Sequence, residues 1–335
     1  MRLAIIWLLF AVLFATGPAP WGHQSFKRQG AAGGAHGAMA SVKARAEEAL
    51  DAGQPRDAAA LLQGMVLGDA SHLSKPVQND FRRSSLTHVV AASGQNISLM
   101  LALALPVLGL LGLSLRNRLL VGVLLVAGYV PLAGGQAPIR RAAVMSLVLI
   151  AAQLRGSSAD GWHALGVAGV VTLLADRSAA ASLGWQLSFA AVAGMLALGR
   201  RLVRAFERTE IPGALGEALA MTVAATAATT PLIAWRVGKL SLLAIPANIV
   251  AGPAVAPAMW LGMIAATLGQ FGKVLAAPIA WLASIPAAAV LEVAHLAAAP
   301  SWSSLGWRPS GVLSACLVGL VLVCGLVRLP GRIPA

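Results

Sequence analysis

The sequence predicts an all-α, polytopic integral membrane protein with about nine or ten transmembrane helices, some broken or re-entrant. Three observations carry that prediction. Apolar runs follow one another from Ile97 to Leu329, separated only by short charged hinges. The chain is 58% hydrophobic and 11% charged, with a mean hydropathy of +0.78. The runs approach the ~20 apolar residues that cross roughly 30 Å of hydrocarbon, a length that a soluble core helix does not sustain without charge.

Residues 1–16 hold one Arg and then an apolar stretch from Leu3, and are expected to form a retained anchor or signal-like helix. Residues 17–86 are expected to be an extracytoplasmic linker with short helices. Residues 17–41, rich in Gly, Ala and polar residues, read as a flexible linker, and Gly53 and Pro55 divide two helical patterns. That stretch is too small for a core of its own and is expected to lie on the membrane face. Residues 87–330 form the membrane domain. Its spans are expected at about 97–115, 119–134, 142–154, 162–175, 183–199, 218–235, 241–269, 275–297 and 311–329. Segment 241–269 carries Pro246, Pro253 and Pro257 and is expected to be broken or re-entrant.

Lys+Arg number 25 against 12 Asp+Glu, a net charge of +13. Such an excess holds loops on the cytoplasmic side, or lines a path for polyanions. The alternate loops holding Arg116, Arg118, Arg155, Arg200, Arg201 and Arg204 are the more basic set, which places them in the cytoplasm and residues 17–85 outside. Cys316 and Cys324 lie eight apart, about 12 Å along a helix, too far to bridge, and are expected to be small packing residues. No CxxC, HExxH or paired-His motif occurs, so neither a metal site nor a cofactor is predicted. Gly311, Ala315 and Gly319 form a small-residue stripe, which serves internal packing or a homodimer.

Polar residues inside such a block are candidates for function, because unpaired polar groups in hydrocarbon cost several kcal/mol. Thr87, His88, Ser93, Gln95 and Asn96 crowd the start of the first main span, with Gly94 allowing a turn or a close backbone approach. A polar helix cap is the plainer use of Ser93 or Asn96. Arg140 and Arg141 follow Gly134-Gly135-Gln136-Ala137-Pro138; they snorkel to headgroups or meet phosphates. Gln186 and Ser188 lie on different helix faces, and Gln186 suits an interhelical hydrogen bond. Thr226, Thr229 and Thr230 are placed to satisfy carbonyls freed by Pro231, and Asn248 suits a pore lining. Trp185, Trp235, Trp260, Trp281, Trp302 and Trp307 are expected in interfacial belts.

The order of these pieces resembles the ComEC-type competence family of bacterial DNA-internalisation channels. The strings that carry the resemblance are Leu67-Gly68-Asp69, Phe81-Arg82-Arg83-Ser84-Ser85-Leu86-Thr87-His88, Ala92-Ser93-Gly94-Gln95-Asn96, Arg141-Ala142-Ala143-Val144-Met145, Gly184-Trp185-Gln186-Leu187-Ser188-Phe189, Thr229-Thr230-Pro231 and Pro246-Ala247-Asn248. The resemblance implies passage of single-stranded DNA through the cytoplasmic membrane. It implies His88, Ser93, Gly94, Gln95, Asn96, Arg141, Gln186, Ser188 and Asn248 as motif positions. Many family members also carry an OB-like domain and a metallo-β-lactamase-like domain; neither pattern is present in this sequence, so nuclease activity is not expected of it.

A passive channel of this kind, not an enzyme, is the expectation. The chain has no nucleotide-binding motif, so a separate DNA receptor and a helicase-like ATPase are expected partners, with the lipid bilayer as surroundings. Two other classes compete. An intramembrane serine hydrolase would use Ser93 with His163 or His295 as base. A small-solute permease would use the broken helices and midplane amides.

Overall fold

The computed structural model describes residues 35–90, 94–157 and 160–326. Among these, thirteen α-helices and one two-stranded sheet are present. The helices are α1 (Ala35–Asp51), α2 (Arg56–Leu67), α3 (Lys75–Arg83), α4 (Thr87–Val90), α5 (Gly94–Leu110), α6 (Leu115–Leu132), α7 (Ala137–Leu154), α8 (Gly161–Ala175), α9 (Leu183–Phe206), α10 (Gly213–Val237), α11 (Ala244–Leu268), α12 (Lys273–Ala298) and α13 (Gly311–Leu326). Strands β1 (Lys239–Ser241) and β2 (Ser304–Gly306) pair with each other. The expected anchor at residues 1–16 and the expected linker as far as residue 34 lie outside the described residues; residues 35–41, expected as flexible linker, are instead the first turns of α1.

Each expected apolar segment coincides with one helix from α5 to α13. Five of these, α6, α7, α10, α11 and α12, are long and apolar enough to cross a bilayer. Three more, α5, α8 and α13, are apolar but shorter. One expectation needs correction: the 241–269 segment is a single α-helix that continues through Pro253 and Pro257. Pro246 falls in its first turn, where the missing N–H has no intrahelical partner to lose. Pro253 and Pro257 lie four apart, so their defects fall on one side and helical geometry survives on the other.

The chain divides into two compact units. The larger holds residues up to 160, from α1 to α7, together with α11 and α12. Its long helices pack through small side chains. Ala247, Ala251, Ala258 and Ala265 of α11 are buried, as are Ala276, Ala280, Ala283 and Ala287 of α12. Such faces let backbones approach closely where the hydrophobic effect offers no drive between helices. The sequence reading placed residues up to 85 on a membrane face, but every residue of α2 from Ala58 to Leu67 is buried. A helix that is apolar all round belongs in an interior. Gly262 of α11 lies against Leu62 and Val66 of α2.

The smaller unit holds α8, α9, α10 and α13. Ala190, Ala193 and Ala197 of α9 are buried, as are Ala220, Ala224 and Ala228 of α10. Ser182 caps α9 by accepting from the Trp185 N–H at 3.2 Å. The buried face of α13 runs through Ser314, Val318, Leu322 and Gly325, and Gly325 packs on Ala197 of α9. Gly311, Ala315 and Gly319, the expected small-residue stripe, are half-buried and lie beside this face. Cys316 and Cys324 are free and exposed rather than packed, because they fall on the opposite side of α13.

Candidate functional site

The polar residues of the larger unit converge on a helix that ends inside the protein. Gly68, at φ 73°, terminates α2. The last carbonyls of a helix have no partner within it. Here they are met by side chains from other helices. Asn96 Nδ2 on α5 donates to the Met65 carbonyl at 2.6 Å and to Tyr129 Oη at 3.3 Å. Tyr129 Oη on α6 donates to the Val66 carbonyl at 2.8 Å. Gln136, immediately before α7, donates to the Gly68 carbonyl at 3.4 Å. Asn96 therefore caps a helix other than its own.

Beside this node lies Arg141, buried in α7 at 7% exposure. Its guanidinium crosses the first residue of α5: a Cβ on Gly94 would collide with Arg141 Nη2 and sit 2.9 Å from Ala142 Cβ. The close approach anticipated at Gly94 is thus occupied by an arginine. Gln95 is exposed and Arg140 is half-buried, while Ser93 lies outside the described residues. His88 forms a second pair. Its Nδ1 is 3.2 Å from the Ser85 carbonyl, and the Asn248 side chain lies near its ring. Asn248 Nδ2 donates to the Ala244 carbonyl at 2.8 Å. Ser85 holds φ 64°, a left-handed conformation uncommon for a residue with a side chain.

In the smaller unit the polar side chains serve a 3₁₀ turn, Arg177–Ala181. Gln186 is fully buried and donates to the Ala180 carbonyl at 2.9 Å. Arg236 of α10 donates to the Ala181 carbonyl at 3.0 Å and lies 5.4 Å from the Trp235 ring centroid. Trp185 is no belt residue: it is buried, stacks on Phe189 with centroids 4.1 Å apart, and donates to Thr172 Oγ1 at 3.0 Å. Ser188 is half-buried. Thr229 donates to the Ala225 carbonyl at 2.9 Å rather than to the Ala227 carbonyl that Pro231 leaves free.

The larger unit thus brings Gly94, Asn96 and Arg141 to one place, and His88 and Asn248 to another. Tyr129, Thr172 and Arg236 were missed by the sequence reading. Tyr129 carried a usable signal, being the one tyrosine of the chain and set within an apolar span. Of the histidines weighed as catalytic bases, His163 is exposed, and His295 pairs with Asp80, its Nδ1 2.9 Å from Oδ2. Among the described residues, no cluster of three or more His, Cys, Asp or Glu is arranged to hold a metal ion.

Long apolar helices, small-residue helix packing and buried polar nodes define a multi-pass membrane protein. The family comparison places it further. The chain belongs to the family described as Competence protein, whose profile matches residues 65–332. It is similar to ComE operon protein 3 of Bacillus subtilis (strain 168), with 24% identity over 199 residues. That alignment covers 59% of this chain and 25% of the relative, so the chain spans about a quarter of the relative's length. No solved structure matches significantly.

Proposed function

We propose that this protein is a conduit for single-stranded DNA across the cytoplasmic membrane during DNA uptake, and that it works as a channel rather than an enzyme. Family membership supports this reading, and one observation within the structure supports the substrate. Arg141 is a cation within a candidate membrane span, and its guanidinium is laid against the N-terminal residue of α5. The planar guanidinium is matched in geometry to a phosphate oxygen of a passing strand. Asn96 serves this reading indirectly, by tying α5 to the end of α2.

The chain's own residues supply no source of energy in this scheme. A DNA-receptor protein delivering the strand and a helicase-like ATPase drawing it inward are the partners it calls for. The test is transformation of cells carrying Arg141→Gln, paired with passage of labelled single strands into liposomes that hold the protein and its partners. Loss of both supports the conduit. Undiminished transformation, or passage of small solutes without DNA, overturns it.

A further inference from the structure

Helix α3 is nine residues long, and Phe81 is its one buried residue. A helix so short does not hold itself together in water, so its fastenings decide where it lies. At its start, Asp57 of α2 accepts from the Ser74 N–H at 3.4 Å. At its end, Arg83 Nη2 donates to the Pro300 carbonyl at 3.0 Å and to Ser303 Oγ at 3.4 Å. Between them, Asp80 Oδ2 lies 2.9 Å from Nδ1 of His295 on α12. Beside these fastenings the packing is open, with a cavity of about 310 Å³ lined by α2, α3 and α12. Its charged or titratable lining is Asp57, Asp80, Glu292 and His295. Arg56 of α2 and Lys75 and Arg82 of α3 are exposed and outside that lining, while Arg83 is held by the 300–303 turn. Three carboxylates thus share a cavity with one group that can change charge near neutral pH. A protonated imidazole pairs with Asp80 and offsets the repulsion among the carboxylates; a neutral one leaves that repulsion unanswered.

We propose that α3 is a pH-sensitive strap, latched to α12 through His295 and Asp80 while the imidazole is protonated and slack over its cavity once the imidazole is neutral. The latch is complete at low pH and is lost as pH rises through the imidazole range. The pair is exposed, so the bias is modest. It matters because Phe81 is the only buried side chain of α3. From α3 the chain passes through Ser85, at φ 64°, into α4 with His88, and on to Gly94 against Arg141. The strap therefore sets the freedom of the stretch that leads to the candidate site. The inference does not rest on the conduit reading.

Hydrogen exchange of the full chain in phosphatidylcholine nanodiscs tests it, read by mass spectrometry at about pH 5.5 and about pH 8 and corrected for intrinsic exchange rates. Peptides covering α3 are expected to lose protection about threefold at the higher pH, the scale of one exposed ion pair. His295→Gln and Asp80→Asn remove this step and leave protection low at both pH values. His295→Lys supplies a permanent cation and keeps α3 protected at both. Helix α9, which has no histidine, is the internal reference, since a variant that has lost its fold exchanges there as well. Equal protection of α3 at the two pH values in the unaltered chain overturns the strap. So does a full step in His295→Gln, which would assign the effect to His72 or His88. If Arg141→Gln abolishes passage while α3 shows no step, the strap falls and the conduit stands.

Discussion

Both units solve the same problem, a helical turn that ends among apolar neighbours, but with different partners. In the larger unit the orphan carbonyls of α2 are met by neutral groups, Asn96, Tyr129 and Gln136, each from a distant stretch of chain. In the smaller unit the Arg177–Ala181 turn is met locally by Gln186 and from afar by a guanidinium, Arg236. Neutral caps suit a site without a water route, since a desolvated cation costs more than a desolvated amide. The larger unit also keeps a buried cation, Arg141, laid against Gly94 of α5.

The sharpest way to break this contrast is the double change Asn96→Ala with Tyr129→Phe. It strips the Met65 and Val66 carbonyls of their donors, at about 1–3 kcal/mol for each buried group left unmet. Thermal unfolding in detergent should fall well below that of either single variant, and a drop no larger than one of them would show that the two act as a unit. Gly94→Ala comes next. Its Cβ would displace Arg141 or press on Ala142, an overpacking of about 1–3 kcal/mol. Because the guanidinium end is flexible, transformation should fail before stability does; the reverse order would make Arg141 a packing residue.

Gln186→Leu probes the smaller unit. The residue is fully buried, and losing its bond to the Ala180 carbonyl should cost about 1 kcal/mol, read as a modest fall in melting temperature. A loss as large as that of the double variant would erase the distinction between local and distant caps.

The smallest effect lies just beyond α2, at Asp69. Burial raises its carboxyl pKa, but hydrogen bonds from the Ser71 side chain and N–H, with the nearby Lys43 ammonium, outweigh this and hold it below its ordinary 3.8. The folded value is depressed, so its stabilising contribution is present above 3.8 and fades as pH falls through the folded value. Acidification below pH 4 should destabilise the wild type more than Asp69→Asn, as followed by unfolding in detergent; parallel curves would remove Asp69 from the account.

The spans were legible because length and apolarity are local properties; α5 to α13 follow the expected segments closely. The prolines of α11 misled, since a proline removes one hydrogen bond without dictating whether the helix resumes. Residues of α2 were read as surface because a single alanine-rich helix gives no sign of what covers it. For the site, the strings around Gly94 and Arg141 led to residues that meet; a turn or a close backbone approach was expected at Gly94, and the Arg141 side chain lies against it. Asn96 was marked as polar and buried, but its partner lies 31 residues earlier on another helix. Tyr129 and Arg236 went unmarked because their importance depends on carbonyls 63 and 55 residues away, a relation that no periodicity encodes.

Helix α2 carries a consequence for how the protein is made. At 12 residues it spans about 18 Å, too little to be held across a bilayer as it leaves the ribosome. Its caps are synthesised at positions 96, 129 and 136, and its covering helices α11 and α12 only after residue 243. For most of translation this segment must wait, shielded by insertion machinery or lying flat on the lipid. A nascent chain truncated before α11 would lack the helix whose Gly262 packs on Leu62 and Val66 of α2.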